Sequence, residues 1–231
     1  MPFPRKPAAE WLDTDNGSPA EVRSALRSLR FVNRWFGGNR VHRVLLAAAA
    51  RSISPPPTEL RVLEAAAGHA AALASAALHL QQRGITVHAT LLDRQASHLP
   101  PEWPRGLPPP ELLSGDALAI PLPDRSVDVV SCCLFLHHLS PEEVSAFLRE
   151  ALRVARVAVV INDLERTRVH YALARLFSLV DPSRLSRHDG PISVRQAYSA
   201  KELHGMLAAT GARVALRRRF LYRFAAMLWH P

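Results

Sequence analysis

The chain has 231 residues, 48% of them hydrophobic, which suffices for one well-cored domain with a small cap. Lys and Arg total 29 against 20 Asp and Glu, a formal net charge of +9, yet only Lys6 and Lys201 are lysines and the arginines are dispersed apart from Arg217-Arg218-Arg219. A nucleic-acid partner is therefore not favoured, since a binding patch needs clustered charge. Cys132 and Cys133 are adjacent in an apolar run and point to opposite faces of a strand, so neither a disulfide framework nor a metal site is expected. The start, Met1 to Pro7, has no apolar core of a signal peptide, and the apolar run 45–50 is too short to span a bilayer. A soluble, cytoplasmic protein is expected.

Residues 8–54 read as helical, with Val22, Ala25, Leu26, Leu29 and then Val41, Val44, Leu45, Ala48 at helical spacing. Gly37-Gly38 breaks this stretch beside Asn33, Arg34, Trp35 and Phe36. The segment 1–57 is thus predicted to be an N-terminal helical cap, with Arg34 and Trp35 at the rim of a lid. Pro55-Pro56-Pro57 forms a stiff spacer into the first strand.

That strand, from Arg61 to Leu63, ends in Glu64, turns through Ala65-Ala66-Ala67-Gly68-His69-Ala70, and opens an alanine-rich helix running to about Arg83. In an open α/β sheet, ligands bind outside the carboxyl ends of the strands. Small residues let a ligand approach the backbone of such a turn. Glu64 is placed to accept hydrogen bonds from a cationic or hydroxylated ligand. A dinucleotide fingerprint needs three glycines, and only Gly68 is present, so a pyrophosphate cradle is not supported. A second strand over 85–92 ends at Asp93, one βαβ step downstream, where a carboxylate can hold a ribose diol.

A proline-rich loop over 100–110 leads to a short strand at 111–113 and then Ser114-Gly115-Asp116-Ala117. Strand four, 127–134, is largely apolar, as expected for a parallel strand covered on both faces. It ends near Leu134 and feeds His137-His138, and Ser140-Pro141-Glu142-Glu143 is a capping box that starts a helix. Strand five, 154–161, is followed by Asn162-Asp163 and by an insertion over about 165–198. This insertion holds His170-Tyr171, an apolar helix over 172–180, and His188-Asp189. Ser199 and Glu202 form another capping box, and two tightly joined strands, 212–219 and 221–228, must run antiparallel.

The series Glu64-x-Ala66-x-Gly68-x-Ala70, Asp93, Gly115-Asp116-Ala117 and Leu122-Pro123-Asp124-Arg125-Ser126-Val127-Asp128 resembles, in order, the motifs of class I S-adenosylmethionine (SAM)-dependent methyltransferases. The resemblance covers most of residues 58–231. It implies a Rossmann-like α/β fold with a seven-stranded, mostly parallel sheet, an antiparallel last strand and the insertion as substrate cover. It also implies SAM as cofactor, held by Glu64, Ala65, Ala66, Gly68, Asp93, Arg94, Asp116, Ala117 and Leu134, with Arg34 from the cap. The runs Asn162-Asp163-Leu164-Glu165-Arg166, Arg187-His188-Asp189-Gly190 and Asn33-Arg34-Trp35-Phe36-Gly37-Gly38 resemble a bacterial subgroup associated with polyketide or quinone-like metabolites. That implies a small, largely apolar acceptor, covered by Trp35, His170, Tyr171, His188 and Asp189.

A base for a phenolic or enolic acceptor is expected among His138 first, then His137, with Asp163 either acting itself or orienting a histidine. Local hydrogen bonding that merely shapes the cavity floor is the competing role for both histidines. The rival functions are a SAM-fold protein that has lost catalysis and, on charge alone, an RNA methyltransferase.

Overall fold

The computed structural model describes residues 3–12, 17–95, 98–100 and 102–230. Residues 13–16 of the predicted helical stretch and 101 of the proline-rich loop lie outside the described residues, as do 1–2 of the N-terminal segment. Seven strands, β1 (Glu59–Ala65), β2 (Thr86–Asp93), β3 (Glu111–Ser114), β4 (Val127–Cys133), β5 (Ala155–Leu164), β6 (Arg213–Arg219) and β7 (Arg223–Trp229), make one sheet in the order β3-β2-β1-β4-β5-β7-β6. β7 runs antiparallel to β5 and β6, and the remaining pairs are parallel. The strand order reverses on either side of β1, which opens a crevice at the carboxyl edge between β1 and β4.

Among the described residues, seven α-helices flank the sheet: α1 (Pro19–Trp35), α2 (Gly38–Arg51), α3 (Ala71–Gln81), α4 (Pro141–Val154), α5 (Arg168–Ser178), α6 (Arg184–Gln196) and α7 (Ala200–Ala208). Period-2 alternation sends Leu60 and Val62 of β1 toward α2 and α3, where they join Leu46 and Leu73. Leu63 and Ala65 point to the other face, with Phe147 and Leu148 of α4 and Leu203 of α7. Each fully buried Leu or Phe contributes about 2 kcal/mol. No helix among the described residues is long and apolar enough to cross a membrane.

Several boundaries differ from the sequence reading. α1 begins at Pro19 rather than residue 8, because Ser18 caps it by accepting the Glu21 N–H. Residues 3–12 run instead as a non-helical strap, where Pro4 and Pro7 deny the backbone donors a helix needs. Within the predicted cap, α2 packs on the sheet: Val41, Leu45 and Leu46 are buried in the main core with β1 and α3. β5 extends to Leu164, so Asn162 and Asp163 lie within the strand. α5 starts four residues earlier than predicted, capped by Thr167. α6 forms through Gly190 and Pro191 because Ser183 caps it and Leu185 and Val194 are buried, a case of tertiary burial overriding local propensity. β7 starts at Arg223, after a turn in which Tyr222 adopts a positive φ of 52°.

Candidate functional site

A cavity of about 1070 Å³ occupies the crevice, floored by the carboxyl ends of β1, β2, β4 and β5 and covered by α1, α5 and α6. At one end lies the turn after β1. Ala66, Gly68 and Ala70 all take left-handed conformations, with φ of 50°, 45° and 46°. These are the three positions at which the resembled motif carries glycine, and the reason is conformational. Nothing lies within 4 Å of where a Cβ on Gly68 would sit, so the turn leaves open space above its backbone. Its N–H donates to Asp93 Oδ2 at 2.8 Å, and Asp93 Oδ1 accepts from Gln95 N at 2.9 Å. The Asp93 carboxylate therefore shapes the turn as well as facing the cavity.

Arg94 pairs with Asp116 at 2.6 Å, and Asp116 Oδ1 accepts from Leu118 N at 2.9 Å. Partial burial acts against the Asp116 charge, but the Arg94 hydrogen bond and the Leu118 amide hold its carboxyl below the usual range. Ala66, Gly68, Asp93, Arg94, Asp116, Ala117 and Leu134 line the cavity together with Glu64. Ala65 is buried beneath it and does not line it.

Glu64 is 1% exposed, and its Oε2 has no hydrogen-bond partner. The nearest cation is His42, whose Nε2 lies 3.3 Å from Glu64 Oε2 and 2.8 Å from Ser131 Oγ. Burial disfavours the His42 imidazolium, but the Glu64 carboxylate and Cys133 outweigh it and raise the pKa to about 10. The sequence reading missed His42. Its signal was a lone histidine between Val41 and Leu45 on the apolar face of α2.

At the other end, His137 Nδ1 is 2.6 Å from Asp163 Oδ1, with both side chains buried. Burial disfavours the Asp163 carboxylate, but the adjacent His137 pulls its pKa below the usual value. An ionised carboxylate can only accept, so Nδ1 carries the proton and Nε2 is the basic nitrogen. The His138 ring stacks 4.2 Å from that of His137. His137 Nε2 also lies 3.9 Å from Glu10 Oε1, brought in by the strap. Glu10, His137 and His138 place three ligand-type atoms within 4.8 Å of one another, an assembly the sequence did not predict. Glu10 Oε1 accepts from Ser193 Oγ at 2.6 Å and Gln196 Nε2 at 2.7 Å, which ties this carboxylate to α6.

His170 lines the cavity, with Nδ1 2.8 Å from the Glu165 carbonyl and its ring stacked on Tyr222. Burial, with the Arg223 charge nearby, lowers its pKa to about 4, so it is neutral near pH 7. Asp189 also reaches the cavity wall, but its two oxygens accept the Trp11 and Leu12 amides at 2.9 and 3.0 Å. His188 stacks on Trp11 at 3.6 Å rather than lining the cavity. Tyr171 packs on Phe3, and Arg34 and Trp35 lie on the outward face of α1, so none of these three lines it. Asn33 and Phe36, one helical step away, take that place. Arg223, fully buried at the start of β7, is a further lining residue that the sequence reading passed over.

In fold, the chain is similar to human N-acetylserotonin methyltransferase, solved in complex with SAM (TM-score 0.62, 13% identity, 96% of this chain and 62% of that one). It is also similar to CalO1, a methyltransferase in calicheamicin biosynthesis solved with bound SAH (TM-score 0.58, 17% identity, 96% and 60%). A third similar structure is magnesium protoporphyrin IX methyltransferase from Synechocystis PCC 6803 with bound SAH (TM-score 0.52, 16% identity, 87% of each chain). These likenesses establish a Rossmann-like methyltransferase fold, and the chain spans about three-fifths of the first two proteins. No curated protein matches the chain. Residues 63–160, from within β1 to within β5, match the family described as methyltransferase domain.

Proposed function

We infer that the protein transfers the methyl group of SAM to a small, largely apolar acceptor of phenolic, polyketide or quinone-like type. The observation that carries this reading is the buried Glu64 carboxylate, with His42 as its ion-pair partner at 3.3 Å, in one wall of a cavity whose opposite end holds the His137–Asp163 pair. A carboxylate offers about four acceptor sites, so one that lines a cavity beside a single histidine keeps capacity for a ligand donor such as an ammonium. Glu64 would receive the cofactor's amino group, the open face of Gly68 would let it lie against the turn, and Asp93 would face its ribose. When bound, SAM supplies an electrophilic methyl on a sulfonium.

The remaining chemistry belongs to the chain. Leu26, Leu29, Phe36, Leu173 and Phe177 form an apolar wall that excludes water from the acceptor. His137 Nε2 takes the acceptor's hydroxyl proton, and Asp163 balances the imidazolium that forms, leaving an oxyanion as nucleophile. Asp163 thus takes the orienting role, on His137 rather than on His138. The volume, about 1070 Å³, exceeds what one drug-sized ligand needs, leaving room for cofactor and acceptor together.

Calorimetric titration tests the cofactor: SAH is expected to bind and NAD to give no heat. A native protein that ignores SAH is the impaired relative instead. His137→Ala is expected to lower turnover by roughly two to four orders of magnitude while SAH affinity stays intact. Unchanged turnover removes His137 as the base.

A further inference from the structure

Arg223 is 1% exposed, and among the described residues it makes no ion pair with a carboxylate. Its hydrogen-bond partners are neutral: Nη2 donates to Asn33 Oδ1 at 2.9 Å and Nη1 to Asn162 Oδ1 at 3.4 Å. A guanidinium carries five N–H donors in a rigid fork. Two are used here, and the rest find no acceptor in the described chain. Both amides are themselves fixed: Asn162 Nδ2 donates to the Gly38 carbonyl at 2.9 Å, and Asn33 is buried at the end of α1. Burying a cation without a paired anion is strongly unfavourable, so such groups are normally matched by a carboxylate. The nearby Asp163 acts on Arg223 only through space: its Oδ1 is taken by His137 and the Leu164 amide, and neither oxygen hydrogen-bonds the guanidinium.

The unmatched cation is on the cavity wall, alongside Asn33, Tyr222 and His170. Rigid backbone holds it there, since β7 is locked between β5 and β6. A planar fork with spare donors matches a carboxylate's two oxygens. We propose that Arg223 is an anion-binding residue of this cavity, receiving a carboxylate-type anion of a bound ligand. The proposal rests on the methyltransferase reading for the identity of those ligands. Two sources have this chemistry: the amino-acid carboxylate of SAM, and an acidic group ortho or vinylogous to the acceptor's hydroxyl.

Calorimetry with four probes separates them in the native protein and in Arg223→Gln. SAH carries the amino-acid carboxylate and 5′-methylthioadenosine lacks it; salicylate carries a carboxylate and phenol lacks it. The acceptor probes are titrated with and without saturating SAH. If the acceptor supplies the anion, the native protein prefers salicylate to phenol, Arg223→Gln weakens salicylate about 10- to 100-fold, and SAH affinity is unchanged. If the cofactor supplies it, SAH weakens by that factor and 5′-methylthioadenosine does not. Arg223→Lys keeps the charge but loses the fork, so it is expected to lose most of the discrimination, and it carries the comparison should the Gln variant not fold. Unchanged SAH-to-methylthioadenosine and salicylate-to-phenol ratios in the variant overturn the proposal. Native protein that binds no SAH, yet still discriminates salicylate through Arg223, overturns the cofactor reading alone.

Discussion

At the scale of single residues, backbone conformation explains why an alanine-substituted turn still holds its shape. Ala66 and Ala70 sit at left-handed φ, which strains an L-residue by about 1–2 kcal/mol and a glycine hardly at all. Ala70 is also the N-cap of α3, where glycine is favoured over alanine. Part of the gain is offset by the extra freedom glycine has in the unfolded chain. Ala70→Gly is therefore expected to stabilise the protein by roughly 0.5–1 kcal/mol in denaturant unfolding. A destabilisation of that size, as for glycine in an ordinary helix, contradicts the assignment. The same scale shows why His42 matters, because it is the nearest cation to a carboxylate that is otherwise buried without one.

At the scale of elements, the strap and α6 hold each other. Asp189 accepts the Trp11 and Leu12 amides, Arg5 donates to the Gln196, His137 and Leu139 carbonyls, and Arg166 donates to the Phe3 carbonyl at 2.6 Å. This arrangement carries Glu10 to within reach of His137, so the strap helps shape the base end of the cavity. Asp189→Ala leaves two amides without acceptors and is expected to lower stability by about 2 kcal/mol. Hydrogen exchange at residues 11 and 12 should accelerate in that variant, and protection equal to the native protein's excludes this anchoring. At the sheet edge, Arg217-Arg218-Arg219 closes β6, and Arg218 pairs with Glu165 at 2.7 Å. Charge on an edge strand blocks pairing with other chains, which accounts for the arginine run without invoking nucleic acid.

For the whole molecule, the buried His42 and the half-buried His170, of opposite shift, set the pH window. His42 is protonated up to about pH 10 in the fold but only to its ordinary 6.5 when unfolded, so its contribution is complete below 6.5 and fades as pH rises toward 10. His170 stays neutral down to about pH 4 in the fold, whereas the unfolded chain takes up its proton near 6.5. Its contribution is complete above 6.5 and is lost as pH falls through 4. Stability is expected to peak near pH 6.5 and to decline on both sides, by an amount on the order of a few kcal/mol at each extreme. Denaturant midpoints measured from pH 4 to 10 check this, and a flat profile removes both assignments.

The sequence alone determined the elements whose signals are local. The apolar runs of β1 and β4, the small-residue turn at Gly68, the capping boxes at Ser140 and Ser199, and the acids at 64, 93 and 116 are each legible within a dozen neighbouring residues, and their order implied the sheet. Which histidine meets Asp163 was not legible, because adjacent positions 137 and 138 differ only in how a short turn after β4 aims them. Nor was the place of Arg34 and Trp35, decided by the rotation of α1 against α6. Glu10 and Arg223 enter the cavity, and His42 backs Glu64 behind its wall, from segments far apart in the chain, so no local pattern marks them. Tertiary packing alone decides which buried charges share a wall, since that depends on distances the sequence does not encode locally.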